Sequence, residues 1–157
     1  LYGLMPPSIS HEGYSAKPMH SYWDDFWALK GYKDAAELAR VIGDGDAGLL
    51  ERQGNEFATD LYASIQASGN THRIDYLPGA AELGDFDPTS TSIALSPAGE
   101  QARLPQAPLE ATFERYWREI VARRDGTREG TGCSPFEWRN LGACARLRWR
   151  DRAHVLW

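Results

Sequence analysis

Apolar residues along this chain recur mostly at three- and four-residue spacings, the period of helices packed by one face. Residues 1–20, "LYGLMPPSISHEGYSAKPMH", break the pattern with three prolines and two glycines and read as a structured loop. A helix is expected to begin at Ser21, with Phe26, Leu29, Leu38 and Ile42 as apolar positions and Gly31 as a point of bending or interruption. The "GDGDAG" run at 43–48 is a turn. A second helix is predicted from about Ala47 to Ser68, with Leu50, Phe57, Leu61 and Ile65 on one face. Residues 69–87 have no period, and "DPTSTSIAL" then reads as a helix start with Asp87 as N-cap and Pro88 in the first helical position. The cleanest stripe follows: Leu109, Phe113, Tyr116, Trp117, Ile120 and Val121. "RRDGTREGTG" breaks it, Ser134 and Pro135 open another helix through Leu141, Cys144 and Leu147, and a last one starts near Asp151.

The expected fold class is therefore all-α, a single domain over 1–157 in which short turns alternate with long polar loops. Helical hairpins stacked in a ring give that alternation, with the long loops gathered on one face. The three long loops, 1–20, 69–87 and 125–134, each lead into an acidic-aromatic cluster: "YWDDFW", "GDFDP" and "PFEW". In a ring the three clusters would share one mouth.

Composition narrows the classes. With 42% hydrophobic and 25% charged residues over 157 positions, the chain is globular. A net charge of −5 argues against a general nucleic-acid or anionic-membrane binder, and no apolar run approaches membrane-spanning length. Six Trp and seven Tyr suit a wet binding face as well as a core. Cys133 and Cys144 lack metal-ligand spacing, and Cys144 reads as a small buried hydrophobe. His11 and His20 fit no metal template, and "GDGDAG" misses the calcium-loop positions. Walker, Rossmann and Gly-x-Ser-x-Gly patterns are absent from the sequence, so no cofactor is expected. The chain starts at Leu1 and stops inside an amphipathic pattern, "RDRAHVLW", so a fragment of a longer protein is expected and the compartment stays open.

At "YWDDFWALKG" the sequence resembles the trehalase-type glycosidases, whose signature holds Tyr-Trp-Asp before an aromatic and a short apolar helix. More broadly it resembles the (α/α)6-toroid, six-hairpin glycosidases, including glucoamylase-like and glycogen-debranching-like enzymes. The runs "SISHEGYSAKPMHSYWDDFWALKGYKDA" and "PGAAELGDFDPTS" are similar to a bacterial branch of that superfamily. The resemblance implies about three of six hairpins, an oligosaccharide or polysaccharide substrate, and the remainder of the toroid as partner. It places Trp23 and Asp24 in the subsite that holds the cleaved sugar. The family's Glu-Ser-Gly-Trp-Asp stretch aligns Glu82 and Gly84, with Phe86 where the acid would stand and Asp85 and Asp87 flanking it.

Glycoside hydrolysis needs one carboxyl to protonate the leaving oxygen and another to activate water or attack, and the resemblance implies an inverting outcome. The acid must keep its proton near neutrality, which calls for burial or a neighbouring negative charge. A carboxylate capping a helix is held ionised, which disfavours Asp24 (Ser21-x-x-Asp24), Glu137 (Ser134-x-x-Glu137) and Asp87 as acids. Asp85, free of a capping role, is the first general-acid candidate and Asp25 the second; Glu137 is the candidate base. Tyr22, Trp23, Trp27 and Trp138 are candidate stacking rings, and Asp24, His20, Glu82 and Asp87 candidate hydroxyl binders. Arg73 and Arg139 could position hydroxyls or carboxylates. Two alternatives stand beside hydrolysis: a toroid polysaccharide lyase, with Tyr14, Tyr22 or His20 as base, and a non-catalytic carbohydrate-binding or scaffold fragment.

Overall fold

A computed structural model describes residues 3–9, 17–127 and 137–156. The described chain is all-α: six helices, with three isolated antiparallel bridges and no strand. They are α1 (Tyr22–Ile42), α2 (Ala47–His72), α3 (Pro88–Leu95), α4 (Gln106–Arg124), α5 (Trp138–Arg146) and α6 (Arg150–Leu156).

Helices α1 and α2 form a hairpin. Gly43, at φ 73°, ends α1 in the left-handed conformation that glycine adopts without strain. Tyr22, Phe26, Leu29, Ala36 and Ala39 are buried on α1, and Ala58, Leu61 and Ile65 on α2. Gly54 lets the helices approach, since an added Cβ would lie 3.0 Å from Tyr32 Cβ. Gly31 does not interrupt α1; it lies on the exposed side, where a missing side chain removes no packing. Leu38 and Ile42, expected in the core, are 62% and 74% exposed. At about 100° per residue, the nine-residue step from Leu29 to Leu38 turns the side chain to the opposite face, whereas the seven-residue step to Ala36 returns to the core. Helix α2 runs one turn beyond the expected Ser68, to His72.

Helix α3 is central, packing on α1, α4 and α5, and Ser90 to Leu95 are all buried. Its predicted cap is realised: Asp87 accepts hydrogen bonds from the Thr89 and Ser90 amides at 2.9 and 3.2 Å. On α4 the expected stripe packs inward, with Leu109, Phe113, Tyr116 and Ile120 buried and Trp117 and Val121 half-buried. Cys144 is a free, fully buried thiol whose pKa burial pushes up to about 11; Cys133 lies outside the described residues. Among the described residues, no helix is long and apolar enough to cross a membrane.

Candidate functional site

The start of α1 is built from three separate pieces of chain. The expected Ser21 cap is not what closes it: Ser21 makes no side-chain cap bond, and its hydroxyl is buried without a partner among the described residues. The Tyr22 amide, an orphan donor at the helix start, instead donates to the Gly79 carbonyl at 3.0 Å. The neighbouring Ala81 amide donates to His20 O at 3.0 Å, completing a bridge between Ser21 and Ala80. Residues 78–86 are thus stitched to the helix that carries the acidic pair. From the other side, Ser8 pairs with Met19 through amide–carbonyl bonds of 2.9 and 3.0 Å.

Adjacent aspartates meet different surroundings there. Asp24, half-buried, accepts a hydrogen bond from the Ser8 hydroxyl. Asp25 is fully buried; one oxygen accepts the Met5 amide at 2.8 Å, and the other has no hydrogen-bond partner among the described residues. Burial, reinforced by the charges of Asp24 and Glu82, outweighs the Met5 bond and the charge of His20, so the Asp25 pKa rises to about 7. His20 bonds Glu82 through its ring and also through its amide, at 3.1 Å. Burial alone would raise the Glu82 pKa, but these bonds bring it below its ordinary value.

A groove of about 580 Å³ opens between residues 5–9 and α1, lined by Met5, Pro6, Ser8, Ile9, Asp24, Trp27 and Ala28. Trp27 is 43% exposed and supplies its aromatic wall. Tyr22 and Trp23 present no comparable face. Tyr22 is fully buried, with its hydroxyl 2.9 Å from Ser64 Oγ and its pKa pushed up to about 12, chiefly by burial. Trp23 is 7% exposed and lies under the Arg139 guanidinium, 4.5 Å from the ring centroid.

The remaining sequence candidates are held elsewhere. Asp85 is half-buried in its own turn, accepting the Ala80 amide at 3.0 Å. Asp87 caps α3. Glu137 takes the Arg123 guanidinium at 2.6 Å, an ion pair that ties the start of α5 to α4; its proposed capping partner Ser134 lies outside the described residues. Trp138 is 54% exposed on α5 and is not among the groove residues. Of the three clusters, the first two are joined through flanking residues by the Ser21–Ala80 bridge, and Arg139, next to the third, lies over Trp23 of the first. His11 and Tyr14 lie outside the described residues, among which no group of three or more metal-ligating side chains gathers. The residues that sequence reasoning missed are Met5 and Ser8. They act through an amide and a hydroxyl 20 and 16 positions from their partners, and neither leaves a periodic signal.

The loop bearing Glu82 and Asp85 turns at Gly84, whose φ is +60° and whose carbonyl accepts the Tyr76 hydroxyl at 2.9 Å. A Cβ at this position would overlap the His72 ring. Gly84→Ala is therefore expected to destabilise the protein by about 1–3 kcal/mol, strain and overlap combined. Thermal unfolding followed by circular dichroism checks this; an unchanged midpoint would show that the loop accommodates the methyl.

Comparison of the chain with protein-family models, with curated proteins and with solved structures found no match in any of the three.

Proposed function

We propose that this chain is the sugar-holding part of a helical-hairpin glycoside hydrolase, built in the manner of the toroid glycosidases it resembles. The observation that carries the reading is the contrast between two neighbouring carboxyls beside an aromatic-walled groove. Asp24 faces the groove, whereas Asp25 is buried and keeps its proton to about pH 7. Environments that differ in this way separate the two jobs that glycoside cleavage asks of carboxyl groups. Asp24 accepts hydroxyls of the bound sugar, and Trp27 packs against a ring face. Asp25 donates the proton to the leaving oxygen. Met5 both hydrogen-bonds Asp25 and lines the groove, so displacement of that residue gives the acid its route to substrate. Glu82, fixed by His20 and electrostatically felt at Asp25, is the carboxylate available to activate water. The α1–α2 hairpin supports the hairpin architecture, although α3 packs more extensively on α5 and α1 than on α4.

The full burial of Asp25 favours a second reading, sugar binding without turnover. A panel of neutral and charged oligosaccharides separates the two, with binding followed by calorimetry and cleavage by release of reducing ends. Hydrolysis predicts that Asp25→Asn lowers kcat at least about 100-fold while binding persists, and that Asp24→Asn weakens binding. Wild-type binding with no cleavage selects the second reading. No binding to any saccharide overturns both.

A further inference from the structure

The groove carries information about which sugar it takes. Among the described residues that line it the only charged side chain is Asp24; Met5, Pro6, Ile9, Trp27 and Ala28 are apolar and Ser8 is neutral. Nearby, the Glu82 carboxylate acts on Asp25, and His20, which also acts on Asp25, is bonded to Glu82. The positive end of the α1 dipole, equivalent to about half a unit charge, is more than offset by the Asp24 carboxylate in the first turn.

Asp24 also has spare capacity. Its Oδ2 accepts the Ser8 hydroxyl, and among the described residues its Oδ1 has no hydrogen-bonding or ion-pair partner. Trp27 lies three residues further along the same helix, on the same groove, with an exposed indole. A carboxylate with a free oxygen beside an open indole, in an otherwise apolar trough, matches the two requirements of an ammonium group: a charge-assisted acceptor and an aromatic face.

Resting on the carbohydrate reading above, we infer that the groove binds a saccharide carrying a protonated amine, with the ammonium seated between Asp24 and the face of Trp27. A uronate is excluded by the same charge, because its carboxylate would meet Asp24 with no base among the groove's described residues to neutralise it. That exclusion also disfavours a lyase acting on uronates.

The test uses ligands that share one backbone and differ only at C2: glucosamine, N-acetylglucosamine and glucose, each as the monosaccharide and as the β-1,4-linked tetramer. Acetylation removes the charge while keeping the nitrogen. Calorimetry at neutral pH is expected to show the amine forms binding at least about tenfold more tightly than the acetylated and hydroxyl forms, with the advantage shrinking as salt is raised. Asp24→Asn, which retains an acceptor for Ser8, should abolish the advantage, and Trp27→Ala should reduce it. Circular dichroism melts confirm that both variants fold. Equal binding of the three forms, or a preference for the neutral ones, overturns the inference and leaves the carbohydrate reading in place. If none of the three binds but another oligosaccharide of the wider panel does, again only the amine inference falls. If no saccharide binds, both readings fall together.

Discussion

Replacing Asp25 by Asn should make the protein more stable at about pH 8 and should flatten its stability between pH 4 and 7. The reason is the position of a titrating group with nowhere to put its charge. Asp25 is fully buried, one of its oxygens lacks a partner among the described residues, and its pKa rises from the ordinary 3.8 to about 7. Between those two values the unfolded chain has already released the proton and the folded chain still holds it. Folded-state stability therefore falls as pH rises through this window and levels off above about 7. The full difference corresponds to about 4 kcal/mol. Asparagine cannot ionise and so escapes the loss, although its buried amide forfeits about 1–3 kcal/mol of hydrogen bonding. The net gain above pH 7 is about 1–3 kcal/mol, or roughly 5 °C in the unfolding midpoint for a chain of this size. At pH 4 the gain should vanish or reverse. Glu82, whose pKa is lowered, stabilises the fold above its ordinary value and loses that contribution toward acid in both proteins, so it cancels in the difference. Thermal melts of the two proteins from pH 4 to 8 decide the matter; parallel curves would sink the assignment. A gain in stability with loss of turnover would mark Asp25 as a residue kept for its chemistry.

A larger loss is expected at Glu100, which sequence reasoning passed over as part of a loop. It is 1% exposed and accepts hydrogen bonds from Lys33 of α1 at 2.7 Å and from the Tyr62 hydroxyl of α2, with the Arg103 guanidinium at 3.4 Å. Lys33 also donates to the Ala98 carbonyl at 2.6 Å, and Arg103 lies over the Tyr62 ring at 5.0 Å. Burial first, and then the bond to Glu100, push the Tyr62 pKa up, so the phenol stays a donor throughout the accessible pH range. This cluster pins the α1–α2 hairpin to the segment before α4. Removing one member of a buried charge network typically costs about 3–5 kcal/mol. Lys33 and Arg103 keep nearly half their side-chain surface in water, at 45% and 47%, and that access lowers the expected loss. Glu100→Ala is therefore expected to destabilise the protein by about 2–4 kcal/mol, read as a lower urea midpoint at constant m-value. Arg40, bonded to Glu37 and Glu51 on the surface, serves as the contrast: Arg40→Ala should leave the midpoint unchanged. Equal effects at the two sites would show that burial adds nothing to the Glu100 cluster.

The helices were legible because their signal is local. The α4 stripe and the Asp87 cap depend on residues a turn apart, and both are realised. Errors arose where side-chain type and helical phase disagree: Leu38 and Ile42 are apolar but point away from the hairpin partner, while the small Ala36 and Ala39 fill the seam. The candidate site was legible only as a neighbourhood. "YWDDFW" marked the turn of α1 that borders the groove, yet nothing local tells Asp24 from Asp25, or Trp23 from Trp27. Those differences come from Ser8, Met5 and Arg139, which arrive from other parts of the chain. Glu137 read as a base or capping residue because its Arg123 partner lies 14 positions away on another helix.

Because α1 is closed at its start by Gly79 and not by its own Ser21, the first turn of that helix depends on chain almost sixty residues downstream. The apolar seam of the α1–α2 hairpin is internal to the two helices, but the acid-bearing turn of α1 is complete only with residues 78–82 and the 3–9 segment in place beside it. The surroundings that raise the Asp25 pKa thus come from three distant stretches of chain, so its ionisation reports on their joint docking.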